Sequence, residues 1–100
     1  MPAYIIAMVN VTDPEQYAKY ARLTPAAIEK FGGRFVVRGG RAETLEGDLR
    51  PGRVVVIEFP SFERASEFYH SDEYQSARRL RLGAADASFI LADGWVPPPA

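Results

Sequence analysis

The sequence contains no cysteine. That absence excludes disulfides, thiolate nucleophiles and cysteine-bound metal. Histidine occurs only at His70, and no Glu-x-x-His spacing surrounds it, so no metal site is expected. Lysine is confined to Lys19 and Lys30, leaving arginine to supply most of the positive charge. Neither sign of charge dominates: 12 Lys and Arg stand against 13 Asp and Glu, for a net charge of −1. No global field therefore draws the chain to nucleic acid or to an anionic membrane. No apolar run approaches the ~20 residues of a membrane span. Met1-Pro2-Ala3-Tyr4-Ile5-Ile6 has neither a basic segment nor a cleavage motif, so it does not read as a signal peptide, and a cytoplasmic protein is expected. A phosphate-binding loop is missing as well, because Arg38-Gly39-Gly40-Arg41 follows a strand but opens no helix. Basic and aromatic residues are not clustered as in single-strand binders.

What is present describes an ordinary soluble globular chain, with 47% hydrophobic and 25% charged residues. One hundred residues suffice for one core, expected over residues 1–96 with a short extended tail at 97–100. Tyr4 to Val11 reads as a strand. Asp13, Pro14 and Glu15 are an N-cap, a first helical residue and a first-turn acid. Tyr17, Tyr20, Ala21, Thr24, Ile28 and Phe31 then follow at helical spacing as the inward stripe. Pro25 is expected to kink or restart this helix with Thr24 as a new cap. Gly32-Gly33 ends it. Arg34 to Gly40 is a second strand, extendable through Leu45, and residues 46–52 form a turn. Arg53 to Phe59 is the third strand. Ser61 caps a helix whose inward stripe is Phe62, Ala65, Phe68 and Tyr69. A further helix is expected from Asp72 to Leu82, and a last strand from Phe89 to Trp95. The order is βαββαβ, an α+β ferredoxin-like pattern with a four-stranded antiparallel sheet.

The strands carry apolar residues on both faces. Ile5, Ala7 and Val9 alternate with Tyr4, Ile6 and Met8; Val55, Ile57 and Phe59 alternate with Val54 and Val56; Phe89 and Leu91 alternate with Ile90 and Ala92. Two helices cover only one face of such a sheet, and a wet second face should be polar. The uncovered face is therefore expected to pack on the same face of a second copy. A monomer with a half-exposed apolar sheet is the alternative.

Candidate site residues follow from charges and hydroxyls in apolar settings. Glu58 interrupts the apolar third strand, and burying an unpaired carboxylate is costly. Arg38 interrupts the second strand, and a hairpin between the two is expected to bring them within a diagonal neighbour. Arg38 then either pairs with Glu58 or presents its fork to a ligand carboxylate or phenolate. Glu58 is a candidate base if desolvation raises its pKa, or else half of a structural ion pair. Tyr17 and Tyr20 lie on the inward helical stripe, where a hydroxyl can orient a substrate or simply be satisfied within the core. Asn10 ends the first strand and either points into the same cleft or caps the next turn. Tyr74 and Arg81, seven apart on a helix, are candidates for the opposite wall. Arg78-Arg79-Leu80-Arg81 otherwise reads as a solvated basic face. His70 is a candidate base by its pKa range, or an exposed residue between helices.

Several segments together resemble a known family. They are Phe31-Gly32-Gly33-Arg34-Phe35-Val36-Val37-Arg38-Gly39-Gly40, Leu45-Glu46-Gly47, Arg53 to Ser61, and Ala65 with Phe68-Tyr69 and Ser71-Asp72-Glu73-Tyr74. In order and spacing the set is similar to domain-of-unknown-function family 1330. Asp72 stands where that family usually has proline in a Ser-Pro-Glu-Tyr segment. The resemblance implies a dimeric α/β-barrel protein, with a ferredoxin-like protomer and a homodimer whose sheets face each other. Its superfamily includes cofactor-independent monooxygenases, haem-degrading enzymes and muconolactone isomerases. The expected function is a cofactor-independent isomerase or oxygenase acting on a small aromatic or enolisable carbonyl compound, with Arg38 binding the anion and Glu58 moving a proton. A module that holds a small acid without turnover, or a structural dimer, is the alternative.

Overall fold

Local signals set the elements, and the computed structural model describes residues 1–99 of them. They are β1 (Ala3–Val11), α1 (Pro14–Lys30), β2 (Arg34–Arg38), β3 (Arg53–Phe59), α2 (Phe62–His70), α3 (Asp72–Arg81) and β4 (Ala85–Asp93). Asp13 accepts from the Gln16 amide at 3.2 Å, with Pro14 as the first helical residue. Ser61 caps α2 through the Arg64 amide at 3.1 Å. Ser71 divides α2 from α3: its hydroxyl donates to the Phe68 carbonyl at 2.7 Å and accepts from the Tyr74 amide at 3.1 Å. The strands order β2-β3-β1-β4 with every neighbour antiparallel, which is the ferredoxin-like arrangement.

The helices lie on one face of the sheet. The shortest principal dimension, 17 Å, leaves room for only two layers. Ala3, Ile5, Ala7 and Val9 of β1 and Val55, Ile57 and Phe59 of β3 are buried beneath the helices. Against them pack Tyr20, Ala27 and Ile28 of α1, Ala65 and Phe68 of α2, and Tyr74 and Ala77 of α3. Gly33 sits where β2 leaves this core. A Cβ there would lie 2.5 Å from the Phe59 ring and 2.9 Å from Ile28. Both neighbours are almost fully buried and have nowhere to move. Gly33→Ala is therefore expected to cost about 1–3 kcal/mol by overpacking. Thermal melting should fall by roughly 10 °C in a domain of this size.

Four expectations are corrected by the structure. Proline does not break α1, which runs unbroken through Pro25. Pro25 has no amide to offer the Ala21 carbonyl, but the Thr24 hydroxyl donates to that carbonyl at 3.3 Å. Thr24 thus mends the helix rather than capping a new one. The last strand begins at Ala85, not Phe89, and ends at Asp93. Ala85-Asp86-Ala87-Ser88 has little strand propensity of its own, but its register against Val11 to Met8 of β1 imposes the conformation. No strand extends from Arg38 toward Leu45. Phe62, expected inside, is 38% exposed at the first turn of α2. Residues 97–99 of the expected tail carry no helix or strand, and Ala100 lies outside the described residues.

The other face of the sheet is bare. Tyr4, Ile6 and Met8, Val54 and Val56, and Ile90 and Ala92 share it. Ile6 lies near its middle, between Val56 and Ile90 in the register. Ile90 is 60% exposed. No helix among the described residues is long and apolar enough to cross a membrane.

Candidate functional site

A single irregularity in β2 decides the geometry of the site. Arg34 pairs with Glu58 and Phe35 with Ile57, but Val37 pairs with Val56 and Arg38 with Val55. The extra residue is a bulge at Val36, and it reverses the alternation. Arg34 remains on the bare face while Arg38 turns to the helix face, opposite Val55. The expected contact between Arg38 and Glu58 is therefore not formed. Glu58 instead stands between Tyr4 of β1 and Arg34 of β2 on the bare face. Its ion pair with Arg34 is long, 3.4 Å, and the Arg34 side chain is largely in water. Such a pair contributes at most about 1 kcal/mol.

On the helix face, Arg38 joins a cavity between α1 and the sheet. Its guanidinium stacks on Phe35, 4.2 Å from the ring centroid. Arg53, at the start of β3, points the same way as Val55 and lines the same cavity. Its Nε is buried without a hydrogen-bond partner among the described residues. Gly39, at φ +70°, lets the chain turn beside it, and a Cβ at Gly39 would overlap the Arg53 guanidinium. Tyr17, Tyr20 and Thr24 form the helix wall, with Tyr74 behind them. Neither Arg38 nor Arg53 takes part in an ion pair among the described residues. The cavity wall has no carboxylate and no histidine. It holds about 40 Å³, little more than one water molecule's share of liquid.

The deep end is a hydrogen-bonded pair of phenols. The Tyr20 and Tyr74 hydroxyls are 2.9 Å apart and buried. Burial, then the neighbouring Tyr74 phenol, holds the Tyr20 hydroxyl above the ordinary phenol range. Burial raises Tyr74 as well, against a lowering influence from the Tyr20 hydrogen bond and the Arg81 cation. Both hydroxyls are therefore protonated donors near neutral pH.

The remaining expected site residues lie elsewhere. Arg81 does not share a solvated basic face, being only 5% exposed. It follows Tyr74 and Ala77 on the buried stripe of α3 and borders a separate cleft at the β4 edge. Asn10 lines that cleft too, not the cavity under α1. His70 is the last residue of α2; its Nδ1 lies 2.9 Å from the Ser66 carbonyl, an interaction in which the ring nitrogen donates. It borders a third hollow beside Phe89 and Leu91. Arg53 and Thr24 are cavity residues that reasoning from sequence missed as site candidates. Arg53 carried the same signal as Glu58, a charge on an apolar strand, at the strand's first residue. Among the described residues no group of three His, Asp or Glu side chains is placed to hold a metal ion.

A helix-covered antiparallel sheet with an arginine- and tyrosine-lined cavity beneath its first helix defines an α+β, ferredoxin-like protein. The chain belongs to the DUF1330 family, a domain of unknown function, whose model matches residues 2–95. Among solved structures it is similar to a protein of unknown function from Rhodopseudomonas palustris, at 25% identity and TM-score 0.76, over 96% of this chain and 84% of that one. It shares its fold with SnoaB, a cofactor-independent oxygenase from Streptomyces nogalater, at 12% identity and TM-score 0.63, over 99% and 98% of the two chains. A protein of Arabidopsis thaliana has the same fold at 14% identity and TM-score 0.64, over 97% and 92%. No curated protein matches the chain.

Proposed function

We propose that the protein is a homodimer joined through the bare sheet faces, and that each protomer takes a small aromatic or enolisable carbonyl compound as its anion beneath α1. One observation carries the ligand reading: Arg38 and Arg53, without carboxylate partners, border an apolar cavity that has no acid of its own. A phenolate, enolate or carboxylate supplies the missing charge, and an arginine fork matches its geometry. Tyr17 and Phe35 flank the ligand's ring, while the protonated Tyr20 hydroxyl donates from below. A benzene-sized guest needs a cavity of about 150 Å³. Arg38, which is exposed, and Tyr17, which is half-buried, swing aside to admit it.

The chemistry that suits such a site is stabilisation of the substrate's own anion. Two guanidiniums beside a phenol or enol lower its pKa, and the proton leaves to water. The resulting anion is the species that isomerises, or that reacts with dioxygen without a cofactor. Glu58, on the far face of the sheet, takes no part in this step. The composition of the cavity wall also favours a second reading, in which the protein holds a small acid without turning it over, because no group there serves as a base.

Calorimetric titration with a panel of phenols and enolisable keto acids tests the reading. Arg38→Ala and Arg53→Met are each expected to weaken binding about 10- to 100-fold, the range of a charge-assisted hydrogen bond. Affinity unchanged in both variants, with folding intact, overturns it. Oxygen uptake or isomerisation of the bound compounds separates the enzyme from the binding module.

A further inference from the structure

Arg81 presents a charge that the cavity under α1 does not explain. The guanidinium is wedged between two rings, 5.4 Å from the Tyr20 centroid and 4.7 Å from that of Phe89. A desolvated cation–π contact contributes about 2 kcal/mol. Removing an arginine from water costs several kcal/mol, so the rings alone do not balance the charge. Arg78 lies one turn earlier on the same helix. The Nε atoms of both residues are buried and have no hydrogen-bond partner among the described residues. The ion pairs among the described residues are Lys30–Glu73, Arg34–Glu58 and Arg64–Glu67, none of which involves Arg78 or Arg81.

Both arginines border the cleft at the β4 edge, which encloses about 560 Å³. Arg50 lines it too, and Asp86 is its one carboxylate. Asp86 forms no ion pair among the described residues, so positive charge is in excess there. Tyr69 and Phe89 supply an apolar wall.

We propose that this cleft is a second binding site, which takes a small oxyanion, carboxylate or phosphate, carried on an apolar body. The oxyanion meets the guanidiniums of Arg81 and Arg78, and the apolar part lies on Phe89 and Tyr69. Arg38 and Arg53 do not line the cleft, so the inference stands apart from the ligand reading above.

Calorimetric titration of the full chain with benzoate and with inorganic phosphate tests it. At least one probe is expected to bind wild-type protein, and the stronger of the two identifies the preferred oxyanion. Arg78→Gln and Arg81→Met are expected to weaken that binding at least about tenfold, the effect of losing one charged hydrogen bond. The Arg38→Ala/Arg53→Met double variant is expected to retain it. Circular dichroism reports folding, and Arg78, partly exposed, carries the test if Arg81→Met does not fold. The proposal is overturned if neither probe binds below about 10 mM. It is equally overturned if Arg78→Gln binds as wild type does, or if the Arg38→Ala/Arg53→Met variant loses the binding.

Discussion

Ile6→Asp is expected to convert the proposed homodimer to monomers. Ile6 lies on the bare face of the sheet, between Val56 of β3 and Ile90 of β4. Its side chain points away from the helices, so the substitution leaves the core of Ile5, Ala7 and Phe68 untouched. In a monomer this changes a half-buried residue of a central strand, at a cost of about 1 kcal/mol in strand propensity. In a dimer joined through that face, each copy buries an unpaired carboxylate, at a cost of roughly 3–5 kcal/mol apiece. Symmetry doubles the penalty, and the dissociation constant should rise at least about 10⁴-fold. Sedimentation or native mass spectrometry at micromolar concentration reads the change directly. A dimer that persists in Ile6→Asp places the interface elsewhere; a wild-type monomer removes it.

The same face gives Glu58 a different meaning from the one its sequence suggests. A carboxylate in an apolar strand reads as a functional group, and the expected partner was Arg38. Alternation along β3 correctly separates Val54 and Val56 from Val55, Ile57 and Phe59, because period two is written into the residues themselves. The bulge in β2 is not written there. Arg34-Phe35-Val36-Val37-Arg38 contains no glycine or proline to mark it, and a regular strand would place Arg34 and Arg38 on one face. One unpaired residue moves Arg38 through the sheet, and the site with it.

Other features were legible to the degree that they depend on nearby residues. Asp13, Ser61 and Ser71 act as caps because a cap needs only the amide three residues on. The start of β4 was missed because Ala85 to Ser88 become strand through pairing with β1, a contact more than 70 residues away in sequence. Arg81 lies inside a basic run, yet its spacing of seven from Tyr74 already marked it as a wall candidate. Counting back by helical turns to Ala77 and Tyr74 places it on the buried stripe, and that periodicity was available in the sequence.

Alkali is expected to destabilise the protein through its buried phenols. Tyrosine in an unfolded chain titrates near pH 10. In the folded protein the Tyr20 and Tyr74 hydroxyls titrate higher, held protonated mainly by burial. Below about pH 10 both states carry these protons, and the stabilisation is fully present. Above it the unfolded chain releases protons that the folded one retains, so stability falls as pH rises. The limiting slope is about 1.4 kcal/mol per pH unit for Tyr20, and Tyr74 adds a decline of the same sign. Urea midpoints measured at about pH 9, 10 and 11 should record that decline. In the Tyr20→Phe/Tyr74→Phe double variant this contribution vanishes, and the decline above pH 10 should flatten. Removing both hydroxyls leaves no orphaned donor, so the double variant is expected to cost less at neutral pH than Tyr20→Phe alone, which strands the Tyr74 hydroxyl at about 1–3 kcal/mol. Equal slopes in wild type and double variant would show that the pair does not govern the transition. The sign also bears on chemistry: phenols that keep their protons are donors to a bound anion, so any base in a reaction beneath α1 must come with the substrate or from water.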